Sequence, residues 1–158
     1  MNGALEGTMR VKDVMTTEVQ TIRPQVPALD AWEQMRRHGI HHLVVMENSH
    51  VVGVLSDRDA GGRRSVTIPA DFRVEDVMTR SVVTVPPDET VRKVANLMRG
   101  RTIGCVPVVE DEHLHGIVTV SDLLGILGRG VDRPARPPRR ALHYRTPHRT
   151  HKRASGVW

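Results

Sequence analysis

Cysteine is almost absent from this sequence. The single Cys105 excludes an internal disulfide and any metal site built from several thiolates. Aromatic residues are nearly as scarce: Trp32, Phe72, Tyr144 and Trp158 make up 3% of the chain. The core must therefore be built from Val, Ile, Leu and Met. No apolar run approaches the roughly 20 residues that a transmembrane helix needs, so no membrane association is expected. Residues 1–10 lack a secretory-type apolar stretch, and a cytoplasmic protein is expected. There is no nucleophile elbow, no Walker loop and no Gly-x-Gly-x-x-Gly turn. A binding module is the better expectation than an enzyme.

What the chain does have is enough to fold. Apolar residues are 39% and charged residues 26% of its 158 positions, which supports a soluble domain or two small repeats. The net charge of +5 is unevenly placed. Residues 129–158 carry nine Arg and Lys against one acid, Asp132, for a net +8, which leaves −3 on residues 1–128. Four prolines and few apolar residues accompany that basic run, so 129–158 is expected to be a disordered tail, with a flexible N-terminus over 1–9.

The main signal is an internal repeat. Val11-Lys12-Asp13-Val14-Met15-Thr16 recurs as Val74-Glu75-Asp76-Val77-Met78-Thr79, an offset of 63. The register continues without a gap through Thr21 and Thr84, Pro24 and Pro87, Met35 and Met98, Gly53 and Gly116, to Asp59 and Asp122. Two similar units are expected, packed about a pseudo-twofold axis and sharing one core. Repeat 1 is set at 10–62, a linker at 63–73 and repeat 2 at 74–128.

Each copy predicts strand, helix, strand, strand, helix. Short strands are expected at 19–22 and 82–85, each ending at proline. Thr90 is a plausible N-cap for a helix carrying Val91, Val94, Ala95 and Met98, and Pro27 fits the first turn of its counterpart with Ala28, Ala31, Trp32 and Met35. Buried strands at 43–46 and 106–109 turn at Asn48-Ser49 and Asp111-Glu112 into return strands. A second helix is expected to begin at Ser56 and at Thr119. The fold class is mixed α/β (α+β), with two β-α-β-β-α repeats.

Ser56-x-x-Asp59 and Thr119-x-x-Asp122 lie where a strand turns into a helix. One reading is a capping box, in which hydroxyl and carboxylate satisfy backbone N–H groups, although Glu or Gln is usual at the third position. The other is a ligand site. Free N–H groups at a helix start suit a phosphate, the hydroxyl adds a donor, and the aspartate can accept from ribose hydroxyls.

The Val-x-Asp-Val-Met-Thr openings, Ile103-Gly104-Cys105-Val106-Pro107-Val108-Val109, and the endings Gly53–Asp59 and Gly116–Asp122 together resemble a tandem pair of cystathionine β-synthase (CBS) domains, the Bateman module. The resemblance covers residues 10–127. It implies a regulatory module that senses an adenosine-bearing ligand (AMP, ADP, ATP or S-adenosylmethionine), commonly as a homodimer, and transmits the signal to a regulated partner protein. No other cofactor is required.

By that resemblance the base lies between Thr84-Val85 and Gly104-Cys105, beside Pro107, with Thr119 and Asp122 on phosphate and ribose. Gly104 permits close approach to a flat ring. The copy-one site implied by the resemblance is Thr21, His41, His42, Ser56, Arg58 and Asp59. There His41, His42 and Val44 depart from the pattern of Gly104, Cys105 and Pro107, and histidines fill or reshape the pocket. Copy two is therefore expected to fill first.

Three other features carry weaker signals. His38, His41 and His42 lack a metal-ligand spacing, and no metal is expected. Cys105, in a Val-rich strand, reads as a small buried hydrophobe. The basic tail is either a solvated extension or an arm for nonspecific nucleic-acid binding. Rival functions are thus a dimeric scaffold whose tail binds nucleic acid, or a ligand-free protein-interaction module.

Overall fold

The computed structural model describes residues 9–61 and 68–129. Residues 130–158 of the expected basic tail, part of the linker and nearly all of the expected flexible N-terminus lie outside those residues; Arg129, expected to open the tail, instead ends a helix.

Copy one contains β1 (Thr21–Ile22), α1 (Ala28–His38), β2 (His42–Glu47) and β3 (His50–Ser56). Copy two contains the short α2 (Val74–Val77), then α3 (Val91–Arg101), β4 (Cys105–Glu110), β5 (His113–Thr119) and α4 (Val120–Arg129). A 3-10 turn at Val11–Asp13 occupies the place of α2 in copy one. The α+β class and the duplication are both realised.

The helices follow from their apolar stripes. Ala28, Ala31 and Met35 are the buried residues of α1; Val94 and Met98 are those of α3. Thr90 caps α3 as expected, its hydroxyl accepting from the Lys93 N–H at 3.2 Å. Pro27 stands one place earlier than expected, as the N-cap of α1, where a missing N–H costs nothing. Each hairpin closes through two residues of positive φ, Asn48-Ser49 and Asp111-Glu112, the backbone of a type I′ turn.

Three expectations are corrected. In copy one β1 is only two residues long and pairs in parallel with β2, Thr21 opposite Val44. In copy two no strand forms over 82–85; a single bridge joins Val85 to Val108. The cause is Pro107. Its counterpart Val44 donates its N–H to the Gln20 carbonyl at 3.2 Å, a bond that proline cannot make. The second helix of copy one is absent as far as Gly61, where a turn comes after Ser56 instead.

The third correction concerns the core. It is two cores, each completed by the other copy. Val11 is fully buried among Val94, Met98, Val106, Val108 and Val118 of copy two. Val74 is fully buried among Ala31, Met35, Leu43, Val45 and Leu55 of copy one. Backbone bonds fix this exchange: the Val11 N–H donates to the Glu89 carbonyl and the Val74 N–H to the Val26 carbonyl, both at 2.9 Å. Thr16 bridges Ile117, and Thr79 bridges Val54. A third, smaller cluster of Val44, Cys105 and Ile117 joins the two sheets. Neither copy can leave without stripping a valine from the other's interior.

Candidate functional site

β4 and β5 run antiparallel, with Cys105 opposite Thr119 at the end of the ladder. The Val120 N–H donates to the Gly104 carbonyl at 3.1 Å. This places the start of α4 beside the start of β4. Gly104, Cys105, Thr119 and Asp122 therefore meet at one end of the sheet. Val85 flanks the other side of β4: its N–H donates to the Pro107 carbonyl at 3.2 Å, and its carbonyl accepts from Val109 at 2.9 Å. Thr84 is exposed next to it, while Pro107 is buried.

At the head of α4 the capping geometry is formed. Asp122 Oδ2 accepts from the Thr119 N–H at 2.8 Å and from its hydroxyl at 2.7 Å. The Asp122 N–H donates back to Thr119 Oγ1 at 3.3 Å. Aspartate thus serves in the box that usually takes Glu or Gln. Among the described residues Oδ1 forms no hydrogen bond. One carboxylate oxygen builds the helix start, and the other is left as an acceptor without a donor among the described residues. A carboxylate there favours neutral hydroxyl groups over a phosphate at the same point, because like charges repel.

Copy one repeats the motif incompletely. Ser56 Oγ donates to Asp59 Oδ2 at 2.6 Å and accepts from the Asp59 N–H at 3.3 Å. The chain then makes a turn, closed by the Ala60 N–H on the Ser56 carbonyl, without a helix through Gly61. The expected helix-terminal anion site is thus missing from copy one among the described residues. Arg58 and Asp59 are exposed on that turn, and Thr21 is exposed on β1.

The two histidines part company, as adjacent residues at a strand start should. His41 is exposed, with Nδ1 2.9 Å from Asp57 Oδ2. His42 is half-buried, and its ring lies against Gly104 of copy two: a Cβ built there would stand 2.8 Å from Nε2 and 3.2 Å from Cε1. The room that Gly104 leaves is thus occupied by an imidazole from copy one. Burial is the main cause holding the His42 pKa below its ordinary value, against the opposing charge of Asp57. The sequence signals neither this contact nor the His41–Asp57 pair, because both depend on how strand starts meet other segments.

Cys105 is buried in the joint between the sheets, and burial pushes its thiol up to about 12. Among the described residues no group of three or more His, Cys, Asp or Glu could hold a metal ion. Nor is any helix there long and apolar enough to cross a membrane. An open depression lined by Arg23, Gln25, Met46, Glu47, Asn48 and Ser49 lies by the hairpin turn of copy one, and none of the expected site residues lines it.

Residues 11–60 and 74–129 each match the model of the CBS domain. The CBS domain-containing protein YhcV of Bacillus subtilis is 33% identical over 114 residues, spanning 72% of this chain and 81% of that protein. The homoserine O-acetyltransferase of Methanohalobium evestigatum is 32% identical over 115 residues, but this chain spans only 23% of its length. Among solved structures, the CBS domain pair of protein MJ0100 in complex with 5′-methylthioadenosine and S-adenosyl-L-methionine is 29% identical, with a TM-score of 0.70, over 77% of this chain and 97% of that one. A hexameric CBS-CP12 protein from bloom-forming cyanobacteria is 28% identical with a TM-score of 0.68, covering 75% of this chain and 67% of that one.

Proposed function

The chain belongs to the CBS-domain family, with one domain in each of its two repeats, and from this we propose that it is a regulatory module whose copy-two site binds an adenosine-bearing ligand. The observation that carries the reading is the Thr119–Asp122 box at the start of α4, with a carboxylate oxygen to spare, beside the side-chain-free Gly104. The bound S-adenosyl-L-methionine and 5′-methylthioadenosine of the MJ0100 domain pair supply the ligand class. AMP, ADP, ATP and S-adenosylmethionine are the candidates.

In this reading the base enters between Thr84-Val85 and Gly104, along β4 toward Pro107, with Cys105 contributing backbone only. Asp122 Oδ1 accepts from the ribose hydroxyls. Phosphate or the methionine arm lies farther along the head of α4, past Thr119. Thr21, His41, His42, Ser56, Arg58 and Asp59 form the second, less complete site. The module catalyses nothing itself. It acts in the cytoplasm on a regulated partner, and it pairs with a second copy through the exposed apolar side of α4, where Val120, Leu124 and Leu127 are 43%, 60% and 79% accessible.

Calorimetry on Asp122→Asn tests the ribose contact. The amide oxygen keeps the bonds from Thr119, and the amide nitrogen cannot accept from ribose. Losing hydrogen bonds to a charged acceptor costs about 1.5–3 kcal/mol, a loss of roughly ten- to a hundredfold in affinity. Unchanged affinity in the folded variant removes Asp122 from the site.

A further inference from the structure

We propose that His42 is the gate of the copy-two ring slot, a role that rests on the assignment of that slot to an adenosine base. The slot depends on Gly104 having no side chain, and the structure fills that space with the edge of the His42 imidazole. A nucleobase and this ring cannot occupy it together. Base binding in copy two therefore requires His42 to move aside.

The surroundings allow that movement without unfolding. The His42 backbone is held in the β2–β3 ladder opposite Ser56. Two residues on, Val44 is fully buried in the joint with Cys105 and Ile117. The ring itself forms no hydrogen bond among the described residues, and it is only half-buried. Packing alone keeps it over Gly104, so rotation about its side-chain bonds clears the slot.

The gate is one-sided. At the offset of 63, His42 corresponds to Cys105, and Gly104 to His41. Copy one therefore has no glycine at the slot, and the residue matching the gate is a small buried thiol. Because the gate belongs to copy one and the slot to copy two, a ligand that moves it acts on the contact between the copies. That gives ligand binding a direct mechanical link to how the repeats sit together.

Calorimetric titration of the full chain with AMP, and separately with S-adenosylmethionine, tests the gate. The proteins are wild type, His42→Ala, His42→Cys and the double variant His42→Ala/Asp122→Asn. His42→Cys puts at position 42 the residue its repeat counterpart already carries, so the test survives if the alanine variant folds poorly. A minor open state is commonly populated at 0.1–10%, so removing the gate should tighten binding about tenfold or more. The double variant should lose that gain. Binding by the two single variants alone, with none by wild type, also supports a closed gate. Equal or weaker binding in both His42 single variants, with binding lost in the double variant, overturns the gate and leaves the site standing. No binding by any protein overturns both.

Discussion

Met15 Sδ lies 2.6 Å from the point where a Cβ on Gly116 would stand, and the Met78 sulfur bears the same relation to Gly53. Each opening motif therefore presses its methionine against a glycine of the other copy. At Gly116 the Thr16 carbonyl is also only 3.0 Å from that point, and the Thr16–Ile117 bridge holds it there. A flexible methionine can yield, but a bridged carbonyl cannot. Gly116→Ala should cost about 1–3 kcal/mol, the usual range for overpacking. Gly53→Ala should cost less, because the corresponding Thr79 carbonyl stands 3.2 Å away. Urea denaturation of the two variants checks both the sign and the order; a neutral Gly116→Ala would mean that the motif is not seated on that strand.

Thr102 ends α3 at φ +54°, in the left-handed region, where its repeat counterpart Gly39 ends α1 at φ +63°. A side chain in that region costs roughly 1–2 kcal/mol, more for a β-branched residue. Glycine carries an unfolded-state penalty of about 0.5–1 kcal/mol. Thr102→Gly should therefore stabilise the protein by up to about 1 kcal/mol. A melting temperature below wild type would contradict the strain assigned to this cap.

His42 and His50 should titrate on opposite sides of the ordinary histidine value of about 6.5. Burial lowers the first. The second is raised, first by the Asn48 carbonyl and then by Glu112 of the other hairpin, 3.1 Å from Nε2. The neutral form of His42 is the one the fold favours, so its support is present above about pH 6.5 and is lost as pH falls through its lowered value. The cationic form of His50 is favoured, so its contribution is full below about pH 6.5 and is lost as pH rises through its raised value. Imidazole NMR titration reads the two values directly, and the reverse order would refute both environments.

Much of this architecture was legible because the repeat supplied its own alignment. The paired valines, prolines and glycines located the helices, the hairpins and the Thr119–Asp122 head of α4. Three features were not legible. Val11 and Val74 read as the openings of their own copies, but sequence order does not say which core a short segment fills. The strand at 82–85 failed because Pro107, one of the residues that carry the family resemblance, also removes the N–H that its partner strand needs. Gly104 read as room for a ligand ring, and the ring found there belongs to His42, more than sixty residues away in sequence. In the first and last of these the missing information was a contact between copies; in the second it was a donor that proline lacks.

Everything proposed for this chain depends on the copy-two site taking an adenosine-bearing ligand. Its most direct test is the thermal unfolding of the full chain with AMP, ADP, ATP or S-adenosylmethionine, beside Asp122→Asn. A ligand that binds only the folded state stabilises it by about 2.7 kcal/mol at a hundredfold excess over its Kd. At least one of the four should raise the melting temperature by several degrees, and the variant, though folded, should lose most of that rise at the same concentration. Melting curves that none of the four moves at millimolar concentration would contradict it.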